Sequence, residues 1–217
     1  MKKFLRVLKL KLSGGYNAKK YWESRHSEYG LDFRGVGNKA LSKEENIIQY
    51  QQAKKIFCEI IDAGNIKLEN ANVLDIGCGN GFYANTYQEL NVANYTGLDI
   101  TDALFEQLRH SFPNYNFKKL DVTEKPINGK FDLVSMIDVT QHITNGKKFS
   151  FAMQNVKSAL KEKGVFIVTS WLDENARDSY YEKSRSLDEY KREFPDFIFS
   201  KPISFRDKFI FTISKRS

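Results

Sequence analysis

Val73-Leu74-Asp75-Ile76-Gly77-Cys78-Gly79-Asn80-Gly81 is the stretch on which the fold turns. Val73, Leu74 and Ile76 suit a strand covered on both faces. Gly77, Gly79 and Gly81 allow a sharp backbone bend and the close approach of a ligand where a Cβ would stand in the way. Phe82 to Leu90 can form a helix, whose first free N–H groups would face whatever lies over the bend. The spacing is G-x-G-x-G, not the G-x-G-x-x-G of dinucleotide binders, so a nicotinamide oxidoreductase is disfavoured. Taken alone, the glycines also fit a purely structural strand–turn–helix corner.

The downstream pattern extends the reading. Tyr95-Thr96-Gly97-Leu98-Asp99-Ile100 reads as a second strand ending in an acid about 20 residues after the turn, where a carboxylate can take two hydrogen bonds from a ribose diol. A third strand is expected over 116–122, ending near Asp121, and a fourth over Phe131 to Asp138. Helices are expected over Thr101 to Ser111, with Thr101 or Asp102 as cap, and over Lys147 to Lys161. A fifth strand follows over Gly164 to Trp171. Strands separated by helices indicate an α/β, doubly wound, mostly parallel sheet.

From Val73 to Trp171 the chain resembles class I S-adenosylmethionine-dependent methyltransferases. The motifs that carry the likeness, in order, are VLDIGCGNG, the acid of GLDI, the acid of LDV, and FDLVSMIDVTQHI followed by a helix and GVFIVTSW. The resemblance implies a Rossmann-like, seven-stranded sheet with a final antiparallel hairpin, and S-adenosylmethionine as cofactor. It implies that the backbone at Gly77 and Gly79 passes the methionine part and that Asp75 attracts its ammonium, directly or through water. Asp99 would hold the ribose, Asp121 the adenine amino group with Val122 beside the ring, and Ile100 and Ile137 would be apolar walls. A W-x-x-R stretch is shared too, within which Trp22 would cover the cofactor and Arg25 would pair with its carboxylate. An ordinary packing helix is the alternative for that stretch.

Asp138 and His142 fall at the C-terminal end of the fourth strand, where open α/β sheets place their sites. His142 is the candidate general base, since imidazole titrates near neutrality, and Asp138 is its candidate companion. The alternative is a histidine that only orients a loop. His26 and His110 look unremarkable, the latter on a helix surface. The position after the fourth strand reads I-D-V-T, not N-P-P-Y or D-P-P-Y, which argues against methylation of a base amino group. No metal-ligand cluster is visible, so no metal is expected.

The chain has 217 residues and a net charge of +7. Seven cations and no acid lie in residues 1–20, so the remainder is neutral and nucleic acid is not an expected partner. Residues 1–15 are read as a basic arm with a Gly14-Gly15 hinge. Residues 16–217 are read as one domain, with a helical cap over 16–64 and the core over 72–217. The arm, residues 1–12, is a candidate for peripheral contact with an anionic membrane, or else a solvated terminus. Two cysteines, Cys58 and Cys78, and no apolar run of about 20 residues fit a cytoplasmic protein, at most held at the inner membrane face.

Ser42 and Glu45 form a capping-box pattern before a helix to Asp62, with Ile47, Ile48, Ile56, Ile60 and Ile61 on its core stripe. Residues 31–40 are expected to form a mobile loop, and 172–195 a lid in which Tyr180, Tyr181 and Arg185 meet a sugar or an anionic substrate. The expected activity is methyl transfer to an O or N acceptor on a small molecule or glycan. A lipid-linked acceptor and a non-catalytic cofactor-binding protein are the alternatives. Oligomeric state is not legible.

Overall fold

The computed structural model describes residues 16–172, 179 and 181–215. The arm over 1–15, its hinge, and Tyr180 of the expected lid lie outside them. Strands are β1 (Asn72–Ile76), β2 (Asn94–Asp99), β3 (Asn116–Lys119), β4 (Phe131–Met136), β5 (Leu160–Ser170), β6 (Phe197–Phe199), β7 (Ile203–Phe205) and β8 (Lys208–Lys215). Helices are α1 (Ala18–Tyr29), α2 (Lys43–Ala63), α3 (Phe82–Glu89), α4 (Phe105–Ser111), α5 (Gly146–Ala159) and α6 (Leu187–Glu193), with 3-10 turns at Phe33–Gly35 and Thr140–His142.

All strands join one sheet in the order β3-β2-β1-β4-β5-β8-β6, with β7 also on β8. The five strands from β3 to β5 are parallel, and β8 inserts antiparallel against β5. The expected seven strands become seven columns. The outermost is shared by two short strands: β6 pairs with the end of β8 and β7 with its start. The chain runs outward from β1 through β2 to β3, then returns to place β4 on the other side of β1. That reversal opens a crevice at the C-terminal ends of β1 and β4.

Strand alternation splits the core into two layers. Val73, Leu133, Ile167 and Ile210 face Phe57 and Ile61 of α2, Tyr87 of α3 and Leu108 of α4. Leu74, Val134, Phe166 and Phe211 face Met153 and Val156 of α5 and Tyr190 of α6. The doubly wound reading therefore holds.

Boundaries differ where side chains compete with the backbone. Helix α4 starts at Phe105, not Thr101, because the Asp99 Oδ1 accepts from Thr101 N and the Thr101 hydroxyl from Ala103 N, which holds this segment in turns. Strand β5 begins at Leu160 and carries an irregularity before Val165. Gly164 suits this point, since a Cβ would lie 3.0 Å from Lys161 backbone atoms and the Phe131 carbonyl, a tight approach. On α2 the capping box forms and Ile56, Ile60 and Ile61 meet the core as expected, but Ile48 is 58% exposed and Tyr50, Ala53 and Phe57 complete the stripe. Residues 31–40, expected as a mobile loop, are pinned. Asn46 Nδ2 donates to the carbonyls of Asn38, Leu41 and Ser42, and Asn38 N donates back to Asn46 Oδ1 at 2.9 Å.

Candidate active site

A cavity of about 690 Å³ opens at the crevice, a size suited to small ligands. Gly77, Gly79, Asp99, Ile100, Asp121, Val122, Ile137, Asp138, His142 and Trp22 line it. Asp75 and Arg25 do not.

The turn after β1 is fastened to β2: Gly77 N and Cys78 N both donate to the Leu98 carbonyl, at 2.7 and 3.0 Å. Gly77 has φ +77°, and a Cβ there would lie 2.3 Å from Val139 Cγ2. Gly77→Ala is therefore expected to cost roughly 2–4 kcal/mol, from left-handed backbone and a clash with a stiff valine. A urea midpoint equal to that of the wild type would contradict this. Gly79 N donates to Asp99 Oδ2 at 3.1 Å, so the turn and the acid of β2 form one unit. Burial lifts the Asp99 carboxyl to about 6, against the bonds from Thr101, Gly79 and Ile100 backbone that favour its charged form. At Asp121, Thr123 N (2.9 Å) and Thr123 Oγ1 (2.6 Å) both donate to Oδ1, which leaves Oδ2 for a ligand.

Asp75 sits beneath the sheet surface rather than in the cavity. It is 2% exposed and accepts from Tyr95 Oη at 2.9 Å and Ser135 Oγ at 2.8 Å. Alternation places it on the Val73 side, under α2 and α3, and burial raises its carboxyl to about 6. Its geometry is that of a pin between β1, β2 and β4. Arg25 is likewise spent elsewhere. Its Nη2 donates to the carbonyls of Arg34 (2.6 Å) and Gly37 (2.7 Å), and so holds the pinned loop against α1.

Asp138 lines the cavity with φ +60°, an uncommon conformation for a side-chain-bearing residue. Its carboxylate is held by Arg206, and by Lys208 Nζ at 2.7 Å. With two cations on it, this carboxylate is a clasp on the β7–β8 turn. His142 also lines the cavity. Its Nδ1 lies 3.1 Å from the Tyr181 carbonyl, which can only accept, so Nδ1 carries the proton and Nε2 keeps a lone pair. Burial lowers the imidazole to about 4, partly opposed by that hydrogen bond. Trp22 meets its ring edge-on at 5.1 Å and Tyr181 stacks on it at 6.3 Å.

Arg185, expected to face the substrate, is 2% exposed and structural. It donates to the Ile143 carbonyl at 2.6 Å and to Glu189, and packs 3.9 Å over Phe149. Several lining residues went unanticipated. Tyr50 of α2 and His26 of α1 both line the cavity. The only sequence signal for His26 was its place beside Arg25 in YWESRH. His110 is on a helix surface as expected. Among the described residues no group of His, Cys, Asp and Glu could hold a metal ion, and no helix is long and apolar enough to cross a membrane.

Comparisons with known proteins agree with this geometry. A malonyl-[acyl-carrier protein] O-methyltransferase of Calditerrivibrio nitroreducens is 28% identical over 140 residues, which covers 62% of this chain and 52% of that protein. The DhpI–SAH complex superposes with a TM-score of 0.66 at 20% identity, over 91% of this chain and 94% of the other. A SAM-bound amino pentose methyltransferase of Micromonospora echinaspora gives 0.62 at 15% identity, over 77% and 92%. The chain spans about half the length, or less, of the curated relatives it matches. The family model described as a methyltransferase domain matches residues 67–201, and the chain belongs to that family.

Proposed function

We propose that the protein transfers a methyl group from S-adenosylmethionine to an oxygen or nitrogen of a small molecule or glycan. The observation that carries this is the union of the glycine turn and Asp99 through the Gly79–Asp99 hydrogen bond, at the mouth of one cavity. The residues present fit the cofactor. The positive-φ Gly77 and Gly79 bring bare backbone to the cavity wall, Asp99 and Asp121 supply acceptors for a nucleoside's hydroxyl and amino donors, and Ile100, Val122 and Ile137 supply apolar walls. When bound, the cofactor offers a methyl on a cationic sulfur, so the protein's main task is alignment, which can supply several kcal/mol. Asp99 orients the ribose, the Gly77–Gly79 backbone admits the amino-acid tail, and Trp22 covers the wall next to His142. His142 Nε2 takes the acceptor's proton.

The malonyl-[acyl-carrier protein] O-methyltransferase and the amino pentose methyltransferase support a small-molecule acceptor while leaving O or N open. A lipid-linked acceptor rests on the basic sequence of residues 1–12 alone. Titration calorimetry with S-adenosylhomocysteine, followed by methyl-label transfer in a cell extract, tests the proposal. Micromolar binding and a labelled product are expected. Absence of binding would overturn the proposal, and binding with no labelled product would favour a non-catalytic cofactor-binding protein.

A further inference from the structure

The short turn that carries His142 is tied, residue by residue, to one later stretch of chain. Thr140 Oγ1 accepts from Tyr190 Oη at 2.9 Å, the Gln141 carbonyl from Lys183 N at 2.8 Å, and the Ile143 carbonyl from Arg185 Nη2 at 2.6 Å. His142, between them, donates from Nδ1 to the Tyr181 carbonyl at 3.1 Å. Thr140 Oγ1 also donates to the Thr169 carbonyl at 3.0 Å, which braces the turn against β5.

The bond at His142 decides its chemistry. An imidazole nitrogen bonded to a carbonyl carries the proton, so the other nitrogen keeps its lone pair. The acceptor here is a main-chain oxygen in a stretch outside the helices and strands, so its position depends on the ties around it. Arg185 is the costly tie. It is 2% exposed, and taking a cation out of water is strongly unfavourable. Glu189 Oε1 accepts from its Nη1 at 3.0 Å, and Phe149 lies under the guanidinium. An apolar side chain would fill that space without the cost, but only a long donor reaches the Ile143 carbonyl, one residue from His142. Tyr190 is the second tie, fully buried, with its ring edge-on to Phe149 and to Phe211 at 5.3 Å each.

We infer that segment 181–190 is a strap that positions His142, with Arg185 and Tyr190 as positioning residues that keep the ring in its Nδ1–H form and so leave Nε2 free to take a proton. The purpose of the strap rests on the methyltransferase reading, while its geometry does not. Burial lowers the imidazole to about 4. Lys208 of β8 and Arg25 of α1 are the charged groups that add to this, and neither belongs to the strap.

The test is nitrogen NMR of the imidazole side chains in the full chain, with His142→Gln to assign the signal. The wild type is expected to show a single Nδ1–H form that stays neutral down to about pH 5. Arg185→Met should give a mixture of both tautomers and lift the titration midpoint toward the ordinary value of about 6.5, because a ring released from the strap regains water. Arg185→Lys, which keeps the charge and a reaching donor, should restore part of the Nδ1–H population. Tyr190→Phe removes one hydroxyl from a ring that stays packed, and should give a smaller shift in the same direction. S-adenosylhomocysteine affinity should stay within about twofold in all three, and labelled product should form about tenfold more slowly in Arg185→Met, since only the Nδ1–H form has a basic Nε2. If Arg185→Met does not fold, Arg185→Lys and Tyr190→Phe decide by the same signal, a partial loss of the Nδ1–H form being expected in each. An unchanged Nδ1–H form in the folded variants, or a mixture already in the wild type, overturns the strap. A matching loss of tautomer and cofactor affinity also overturns it, as general loosening of the fold. Each of these leaves the methyltransferase reading standing. A wild-type chain that binds no S-adenosylhomocysteine overturns both.

Discussion

Asp99→Ala lowers the affinity for S-adenosylhomocysteine by at least ~100-fold. Each hydrogen bond from a ribose hydroxyl to a carboxylate is worth roughly 1.5–3 kcal/mol, and two are lost together. The same substitution frees Gly79 N and Thr101 N, both now bonded to the carboxylate, so the turn loosens as the ribose loses its anchor. Asp99→Asn separates the contributions, because it keeps one acceptor oxygen and should lose about tenfold. Calorimetry reads both, and wild-type affinity in the alanine variant would remove the nucleoside from this cavity. A pH dependence accompanies the effect. The carboxyl sits at about 6 in the fold, so affinity should fall as pH drops below that value and the acceptor becomes protonated. Stability moves the other way. A carboxyl raised above its unfolded value near 4 binds more protons when folded, so Asp99 and Asp75 each make the protein lose stability as pH rises from about 4 to about 6, with no further change above.

His142→Ala lowers turnover by at least ~100-fold and keeps S-adenosylhomocysteine affinity within about threefold, since general-base assistance contributes 10²–10⁴ and the ring faces the acceptor side. The variant should show the loss in kcat for an acceptor whose attacking atom carries a proton. Because burial keeps the imidazole neutral down to about 4, the kcat profile should be flat from pH 6.5 to 8.5, without the inflection an exposed histidine gives. His142→Gln, similar in length but without basicity, should be as slow as the alanine variant. Near-normal turnover in either would leave the ring a wedge between Trp22 and Tyr181.

Much of this was legible from the chain, for a definite reason. The glycine turn, Asp99, Asp121 and the strand–helix alternation are tied to local backbone geometry, and local geometry leaves a pattern. Arg25 and His26 show where legibility stops. They are adjacent on one helix, about 100° apart around its axis, and which of them meets the cavity depends on how α1 is rotated. Helix α1 has little amphipathic contrast, so that rotation is set by the Arg34 and Gly37 carbonyls, which lie 9 and 12 residues from Arg25. Asp75 was readable in principle, since alternation puts it on the Val73 face of β1, away from the bend. Arg185 was not: a long cation among tyrosines fits an open lid and a buried strut equally well until Phe149 and Ile143 are placed beside it.

Asp138 meets Arg206 and Lys208 across 68 and 70 residues of chain, and Asp138 and Arg206 both hold left-handed backbone. The floor of the reaction chamber is thus assembled from the middle of the polypeptide and its last strand together. Until β8 pairs with β5, Lys208 is not in place beside Asp138, so that wall of the cavity depends on a pairing 70 residues apart in the chain.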